Sequence, residues 1–178
     1  MLRREASMAI AGLAALIVLA PGQVLAVDVV YRTVAVAEVT DVPEGGDLTD
    51  IYNYSLDEGR LVIEGYSGNS DPSIDGLWAA EGNRLETVAT TDTTIPGNIF
   101  QFVGFDSFGQ DGAATVFVGR YPDACDANDC EGVYVEKDGG YRLVADTFDT
   151  VPDRETTFDS LGSPAMEGEH VAFVGSVQ

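Results

Sequence analysis

Basic residues are scarce in this chain. Of its 178 residues, nine are Lys or Arg and 30 are Asp or Glu, which gives a formal net charge of −21, and Lys137 is the single lysine. Such a chain repels the phosphate backbone of nucleic acids and the anionic surface of membranes, so neither is expected as a partner. One histidine and two cysteines are also a poor ligand set for zinc.

A long apolar segment is lacking as well. The run Met8 to Ala20 has 13 residues, fewer than the roughly 18–20 that a membrane-spanning helix needs. It follows Arg3 and Arg4, is broken by Pro21-Gly22, and is succeeded by Val24-Leu25-Ala26. This order is typical of a secretory signal peptide, predicted over residues 1–26, with a membrane anchor as the alternative. We therefore expect a secreted or periplasmic domain, residues 27–178, that does not enter the membrane after leader cleavage.

The strongest internal signal is a repeat at a spacing of 56 residues. Residues 76–119 align without a gap on residues 132–175, and 12 of the 44 aligned pairs are identical, where composition alone would give roughly three. A fainter copy, offset by 53, sets Val42-Pro43 against Ile95-Pro96 and Gly59 against Gly112. Such a period indicates stacked or radial units. We predict three, over about residues 27–75, 76–131 and 132–178 of a single domain.

Each unit is predicted to contain four short antiparallel strands. The segments are rich in β-branched and aromatic residues and are separated by turn sequences such as Asp138-Gly139-Gly140. The last strand is apolar on both faces, which predicts that it is covered on each side. The predicted fold class is therefore all-β, with meander repeats of the size of a β-propeller blade. The expected strands are 76–80, 84–89, 100–105 and 113–119 in the second unit, and 133–137, 141–146, 157–161 and 170–175 in the third.

The repeated residues resemble those of secreted, uncharacterised bacterial β-propeller-like repeat proteins. The matching motifs are Val144-Ala145-Asp146 followed by Thr150 and Pro152, then Phe158, and Val171-Ala172-Phe173-Val174-Gly175; Gly132-Val133-Tyr134 also matches. The resemblance covers about residues 31–178. It implies a structural repeat, and the family offers no known catalytic residues to assign to positions of this chain. The second unit departs from the pattern with Thr90 in the position of Asp146.

Three units are fewer than the four to eight blades of a closed propeller. Three arrangements therefore stand open. The units form an open β stack, two chains associate as a homodimer with a six-unit ring, or the chain is a piece of a longer repeat protein. In the first arrangement, exposed strand edges would favour association.

Two kinds of side chain in the loop 121–131 suggest chemistry. Cys125 and Cys130 are close in an exported chain, which predicts one disulfide, because a redox-active pair is typically spaced C-x-x-C. Carboxylate and amide oxygens in the same loop are the ligands that Ca²⁺ prefers, with solvated acidic loops as the competing interpretation. The candidate calcium ligands are Asp123, Asp126, Asn128, Asp129 and Glu131.

Catalysis has one conceivable centre, His170, which could act as a general base beside Ser163 or Asp159. Its counterpart in the second unit is Ala114, so the position accepts a residue without function. The segments 90–94 and 146–150 are expected to form turns that bond their own backbone. We expect a non-catalytic structural or interaction module with an unknown protein or glycan partner and no required cofactor. A Ca²⁺-dependent carbohydrate binder or a hydrolase, with its site in the acidic loops, is the alternative.

The disulfide gives a direct test. In the exported, folded protein we expect Cys125 and Cys130 to be oxidised to each other, because their compartment is oxidising and their spacing is short. Neither thiol should react with iodoacetamide until a reductant is added, as read by mass spectrometry of tryptic peptides. Labelling of both residues without reductant would show the prediction to be wrong.

Overall fold

The computed structural model describes residues 41–68, 74–81, 84–122 and 130–177. The predicted signal peptide, residues 1–26, lies outside these ranges. Within them every regular element is a β-strand, and no helix there is long and apolar enough to cross a membrane. The strands are β1 Leu48–Asp57, β2 Arg60–Ser67, β3 Ile74–Glu81, β4 Arg84–Thr90, β5 Gly104–Asp111, β6 Ala114–Tyr121, β7 Cys130–Lys137, β8 Gly140–Asp146, β9 Ser160–Glu167 and β10 His170–Ser176.

The strands form three antiparallel sheets in chain order. The first sheet is β1-β2-β3-β4, the second is β5-β6-β7-β8, and the third contains β9 and β10. Two-residue turns join β1 to β2, β5 to β6, β7 to β8 and β9 to β10, such as the turn at Asp138 (φ 54°) and Gly139 (φ 76°). Two consecutive positive φ values match the right-handed twist of the flanking strands. The predicted all-β meander architecture is confirmed.

The repeat reappears in the strand positions and in the backbone hydrogen bonds. β5 and β9 begin 56 residues apart (160 − 104), and so do β3 and β7 (130 − 74). In the connections between sheets, Ile95 N–H donates to Phe100 O at 2.9 Å, and Val151 N–H donates to Thr156 O at 2.9 Å. Pro96 and Pro152 both lie in these connections. The fainter first copy aligns at its hairpin with an offset of 54 (Asp57 and Asp111), not 53.

Two details of the predicted strands are wrong. Segments 100–103 and 157–159 are not strand but the ends of the inter-sheet connections, since β5 and β9 begin at Gly104 and Ser160. Both strands also continue beyond the predicted ends at 105 and 161, to Asp111 and Glu167. The apolar residues there serve as anchors: Phe102 is buried, and its ring occupies the space where a Cβ on Gly119 would lie. In addition, each hydrogen-bonded sheet joins the second half of one sequence unit to the first half of the next.

The sheets pack face to face around shared apolar layers. Between the first and second sheets, Val62, Leu77 and Val88 contact the aromatic cluster of Phe102, Phe117 and Tyr134. Between the second and third sheets lies an aliphatic layer formed by Val116, Val118, Val133 and Leu161. The first strands β1, β5 and β9 pack side by side. Successive sheets therefore stack with their first strands in contact.

The third sheet is less protected than the repeat predicts. Phe117 is fully buried on β6, whereas its counterpart Phe173 on β10 is only half-buried. Val174 is 64% exposed, so the expectation that this strand is covered on both sides is wrong for the described residues. The reason is the number of neighbours: the third sheet covers Val118 on β6 through Leu161, and β7 pairs with β6, whereas among the described residues no further sheet covers β10, which pairs with β9 alone.

This difference predicts unequal costs for the same substitution. Phe117→Ala should lower the free energy of unfolding by about 3–5 kcal/mol, because it empties a closed aromatic core. Phe173→Ala should cost about 1–3 kcal/mol, because half of the ring already meets solvent. Urea unfolding at neutral pH measures both, with the exposed Phe148→Ala as the control. A loss at Phe173 equal to that at Phe117 would contradict this account.

Candidate functional site

The predicted calcium loop is described only at its last residue. Asp123, Cys125, Asp126, Asn128 and Asp129 lie outside the described residues. Glu131 is at the start of β7, and its carboxylate oxygen Oε2 accepts a hydrogen bond from Leu161 N–H at 2.6 Å. In the described ranges, no three His, Cys, Asp or Glu side chains are grouped so as to hold a metal ion. Glu131 therefore joins the second sheet to the third, and calcium binding stays a prediction.

The other two predicted positions are placed as follows. Cys130 is fully buried at the start of β7, opposite Tyr121 on β6, and its pairing with Cys125 stays a prediction. His170 is exposed and begins β10 directly after the hairpin turn. Asp159 donates its N–H to Ser176 O at the opposite end of the hairpin, about 20 Å away at ~3.3 Å per residue. His170 and Asp159 are therefore not brought together.

The turn prediction at the two Thr/Asp segments is confirmed. Thr90 N–H donates to Thr93 Oγ1 at 2.9 Å, and Asp92 N–H donates to Thr90 Oγ1 at 3.3 Å. In the next repeat, Asp146 N–H donates to Asp149 Oδ2 at 3.0 Å, and Phe148 N–H donates to Asp146 Oδ1 at 2.8 Å. Thr90 thus replaces Asp146 by forming the same kind of side-chain-to-backbone turn.

Carboxyl groups converge between the first and second sheets. This acidic cluster consists of Glu64 on β2, Asp75 on β3, Asp106 on β5 and Glu131 on β7, and electrostatic interactions connect its members with Arg120 on β6. Arg120 Nε lies 3.2 Å from Asp106 Oδ1. The cluster is formed by strands from both sheets, so it exists only when the sheets are stacked.

Glu64 is the most perturbed acid of the cluster. Its side chain is 3% exposed, and burial raises its pKa to about 7, with smaller contributions from the charges of Asp75 and Asp106. The hydrogen bond that Asn53 Nδ2 donates to Glu64 Oε2 at 3.2 Å opposes this shift. A carboxyl group with a pKa near neutrality exchanges protons readily, which is what general acid–base chemistry requires.

Tyr52 lies next to Glu64 at the surface. Its hydroxyl donates to Asp75 Oδ1, and burial raises the pKa of Asp75 above its ordinary value although this hydrogen bond opposes the shift. The Tyr52 and Tyr66 rings have their centroids 5.3 Å apart, and the two residues are 47% and 42% exposed. The cluster thus opens to solvent beside an aromatic pair.

Further carboxylates connect one sheet to the next at the hairpin turns. Asp57 Oδ2 accepts from Gly112 N–H at 2.9 Å, and Asp111 Oδ2 accepts from Gly168 N–H at 2.5 Å. The two bonds are equivalent, because Asp57 and Asp111 both close the first hairpin of their sheet. Hydrogen bonds from backbone N–H groups to carboxylates are stronger than neutral ones. These bonds fix the stacking of successive sheets.

Sequence reasoning missed the acidic cluster. A single signal was available: Glu64 interrupts the apolar segment Leu61-Val62-Ile63 just before Gly65, and an acid in a buried strand must be neutral or paired. The other members gave no such signal, because they stand at strand ends among many exposed acids. Only the stacking of the two sheets brings them together.

The fold defines a class of protein: an all-β repeat protein built from stacked antiparallel meanders, two of them four-stranded in the described residues. The chain belongs to a family of unknown function, DUF7453, which matches residues 20–178. No curated protein matches the chain, and no solved structure matches it.

Glu64 predicts a specific dependence of stability on pH. Because its pKa in the folded protein is about 7, against 4.5 ordinarily, the folded state holds a proton that the unfolded chain loses. The free energy of unfolding should therefore fall as pH rises from about 4.5 to about 7. Glu64→Gln keeps a neutral side chain, so at about pH 8 it should be more stable than the parent by on the order of 2–3 kcal/mol.

Urea unfolding between about pH 4 and pH 8.5 measures this difference. The control is Glu169→Gln, which removes the same charge from an exposed turn. If both variants shift the profile equally, the effect comes from the net charge of the molecule, and the role assigned to Glu64 is wrong.

Proposed function

We propose that this protein is an exported, non-catalytic β-repeat module that acts at the cell exterior as a structural or interaction element. The partner is a protein or a glycan, and neither a metal nor another cofactor is required for the fold. The resemblance of its repeat motifs to those of secreted propeller-like proteins supports the same role.

One observation carries the non-catalytic part of this proposal: the way in which carboxylates are used. Asp57, Asp111 and Glu131 each accept a backbone N–H of the following sheet. Glu136 accepts Gly139 N–H at 2.9 Å and lies 3.9 Å from Arg60 Nη2 of the preceding sheet. Because these carboxylates already bind groups of a neighbouring sheet, they are poorly placed to react with a substrate. They hold the stacked sheets in position, as a structural protein requires.

Export is supported by the leader-like segment and by composition. A high net negative charge keeps an exported β-protein soluble by repulsion between copies. Exposed aromatic residues such as Tyr52, Tyr54 and Tyr66 are typical of the surfaces that proteins use for recognition.

The proposal predicts the N-terminus of the exported protein. Cleavage after Ala26 should leave Val27 as the first residue, because short side chains precede the cut. Intact-mass spectrometry of the extracytoplasmic fraction measures this, with Ala26→Arg as a variant in which cleavage at this bond should fail. Recovery of a chain that still begins at Met1 in the exported fraction would overturn the prediction.

A hydrolase is the second candidate, favoured by the neutral-range pKa of Glu64 beside the exposed tyrosine pair. A screen with chromogenic glycosides and esters separates the two candidates. Turnover that disappears in Glu64→Gln but persists in Glu169→Gln would replace the proposed non-catalytic function. Absence of turnover under conditions where the chain is folded and exported supports it.

A further inference from the structure

The edge of β10 that faces away from β9 has no strand beside it among the described residues. In the other two sheets the equivalent strands, β2 and β6, receive β3 and β7 on that edge. Backbone N–H and C=O groups on such an edge are ready to pair with another strand. The third sheet therefore presents half of an interface that the molecule builds twice elsewhere.

The side chains on this edge match those of the completed interface. In the second sheet, Phe102 covers Gly119 and packs edge-on against Phe117, with ring centroids 5.7 Å apart. In the third sheet, Phe158 covers Gly175 and packs edge-on against Phe173 at 5.9 Å. The receiving half of the interface is thus already formed at β10.

β7, which pairs with β6 in the second sheet, shows which side chains a strand beside β10 would supply. Across from Gly119, Val118 and Phe117 on β6 stand Gly132, Val133 and Tyr134 on β7. Tyr134 stacks on Phe117 with ring centroids 5.7 Å apart and also meets Phe102 at 5.1 Å. In the first sheet, Gly76, Leu77 and Trp78 occupy the same positions across from β2.

The glycine in this motif has a steric reason. The ring of Tyr134 lies over its own strand at Gly132, where a Cβ would approach the ring carbons to 2.7 Å. Trp78 lies over Gly76 in the same way, at 2.6 Å. An aromatic residue two positions after the glycine can therefore cover the sheet only if that position has no side chain.

We infer that the outer edge of β10 is a docking site for a β-strand that carries Gly, an apolar residue and Tyr or Trp in consecutive positions. In the register of the first two sheets, these residues stand opposite Gly175, Val174 and Phe173. The incoming ring packs on half-buried Phe173, and the apolar residue lies beside Val174, which is 64% exposed. Both copies of the motif already lie inside sheets, so we assign the incoming strand to a partner chain.

This inference rests on the proposed interaction function and names the chemistry of the partner. Strand addition at a sheet edge obtains affinity from main-chain hydrogen bonds and specificity from alternate side chains. The pairing of β3 with β2 and of β7 with β6 shows the register that the incoming strand should adopt on β10. The site is therefore selective for the Gly-apolar-aromatic order, not for extended peptides in general.

The test uses the mature chain and a peptide of residues 130–137 with Cys130→Ser. Because His170 and Glu167 close the two-residue hairpin turn, Val171 N–H points away from β9 and Ala172 N–H towards it. We expect saturable 1:1 binding by NMR titration, with slower hydrogen exchange at Val171 and little change at Ala172. A peptide with Tyr134→Ala, and one with Gly132→Val, should each bind at least about ten-fold more weakly.

Variants of the chain provide matched controls. Phe173→Leu, which keeps an apolar side chain in the sheet, should weaken binding about three- to ten-fold, because the aromatic stacking partner is lost. Phe148→Ala removes an exposed aromatic ring outside this edge and should change affinity less than about three-fold. Thermal unfolding checks that both variants remain folded.

Three outcomes would overturn the inference. They are no binding at millimolar peptide to the folded chain, equal binding by the Tyr134→Ala peptide, and protection of Val171 without peptide in a concentration-dependent dimer, which would make a second copy the occupant. None of these outcomes bears on the N-terminus of the exported protein or on the hydrolysis screen. A failed docking site is therefore distinguishable from a failed function.

Discussion

The contact between an aromatic ring and a backbone glycine controls the packing of every sheet in the described part of this protein. Phe102 lies over Gly119, Phe158 over Gly175, Tyr134 over Gly132 and Trp78 over Gly76. Each ring occupies the space that a Cβ on the glycine would need, so the ring lies directly against the backbone of the strand. If any of these glycines carried a side chain, the ring would have to leave its position, and the layer it fills would lose its largest contacts.

Carboxylates add order to this apolar stack. Hydrophobic burial alone is not directional and allows adjacent sheets to slide, whereas the bonds from Gly112 to Asp57 and from Gly168 to Asp111 fix one hairpin turn over the next. Tyr141 Oη adds another link by donating to Val88 O at 2.6 Å in the preceding sheet. The acidic composition is thus partly structural, in addition to any effect on solubility.

Much of the fold could be predicted because the repeat is local information. A gapless spacing of 56 preserves turn lengths, and turn length sets strand register, so β3, β4, β6, β7, β8 and β10 were predicted within a few residues. Which four consecutive strands form one sheet could not be predicted, since a periodic sequence does not show where each structural unit begins. The start of β5 was missed because the buried anchor Phe102 has the same apolar character as a strand residue.

The candidate site was less predictable for a related reason. Its acids come from β2, β3, β5 and β7, and nothing in the spacing of Glu64, Asp75, Asp106 and Glu131 indicates that they meet. The burial of Phe173 was overestimated because sequence identity with Phe117 implies the same strand position but not the same neighbours. Position in a repeat predicts local conformation, whereas burial depends on which strands are present on either side.

The protein therefore uses carboxyl groups in two electrostatically opposed ways. At the hairpin turns, Asp57 and Asp111 accept backbone N–H groups, an interaction that is strongest when the acid is ionised. Between the sheets, burial raises the pKa of Glu64 and Asp75 and favours their neutral forms. Acidification relieves the cost of burying Glu64 and Asp75, so their contribution to stability grows as the pH falls. The packing between the first two sheets therefore makes the stability of the fold depend on pH, through Glu64 over about pH 4.5 to pH 7.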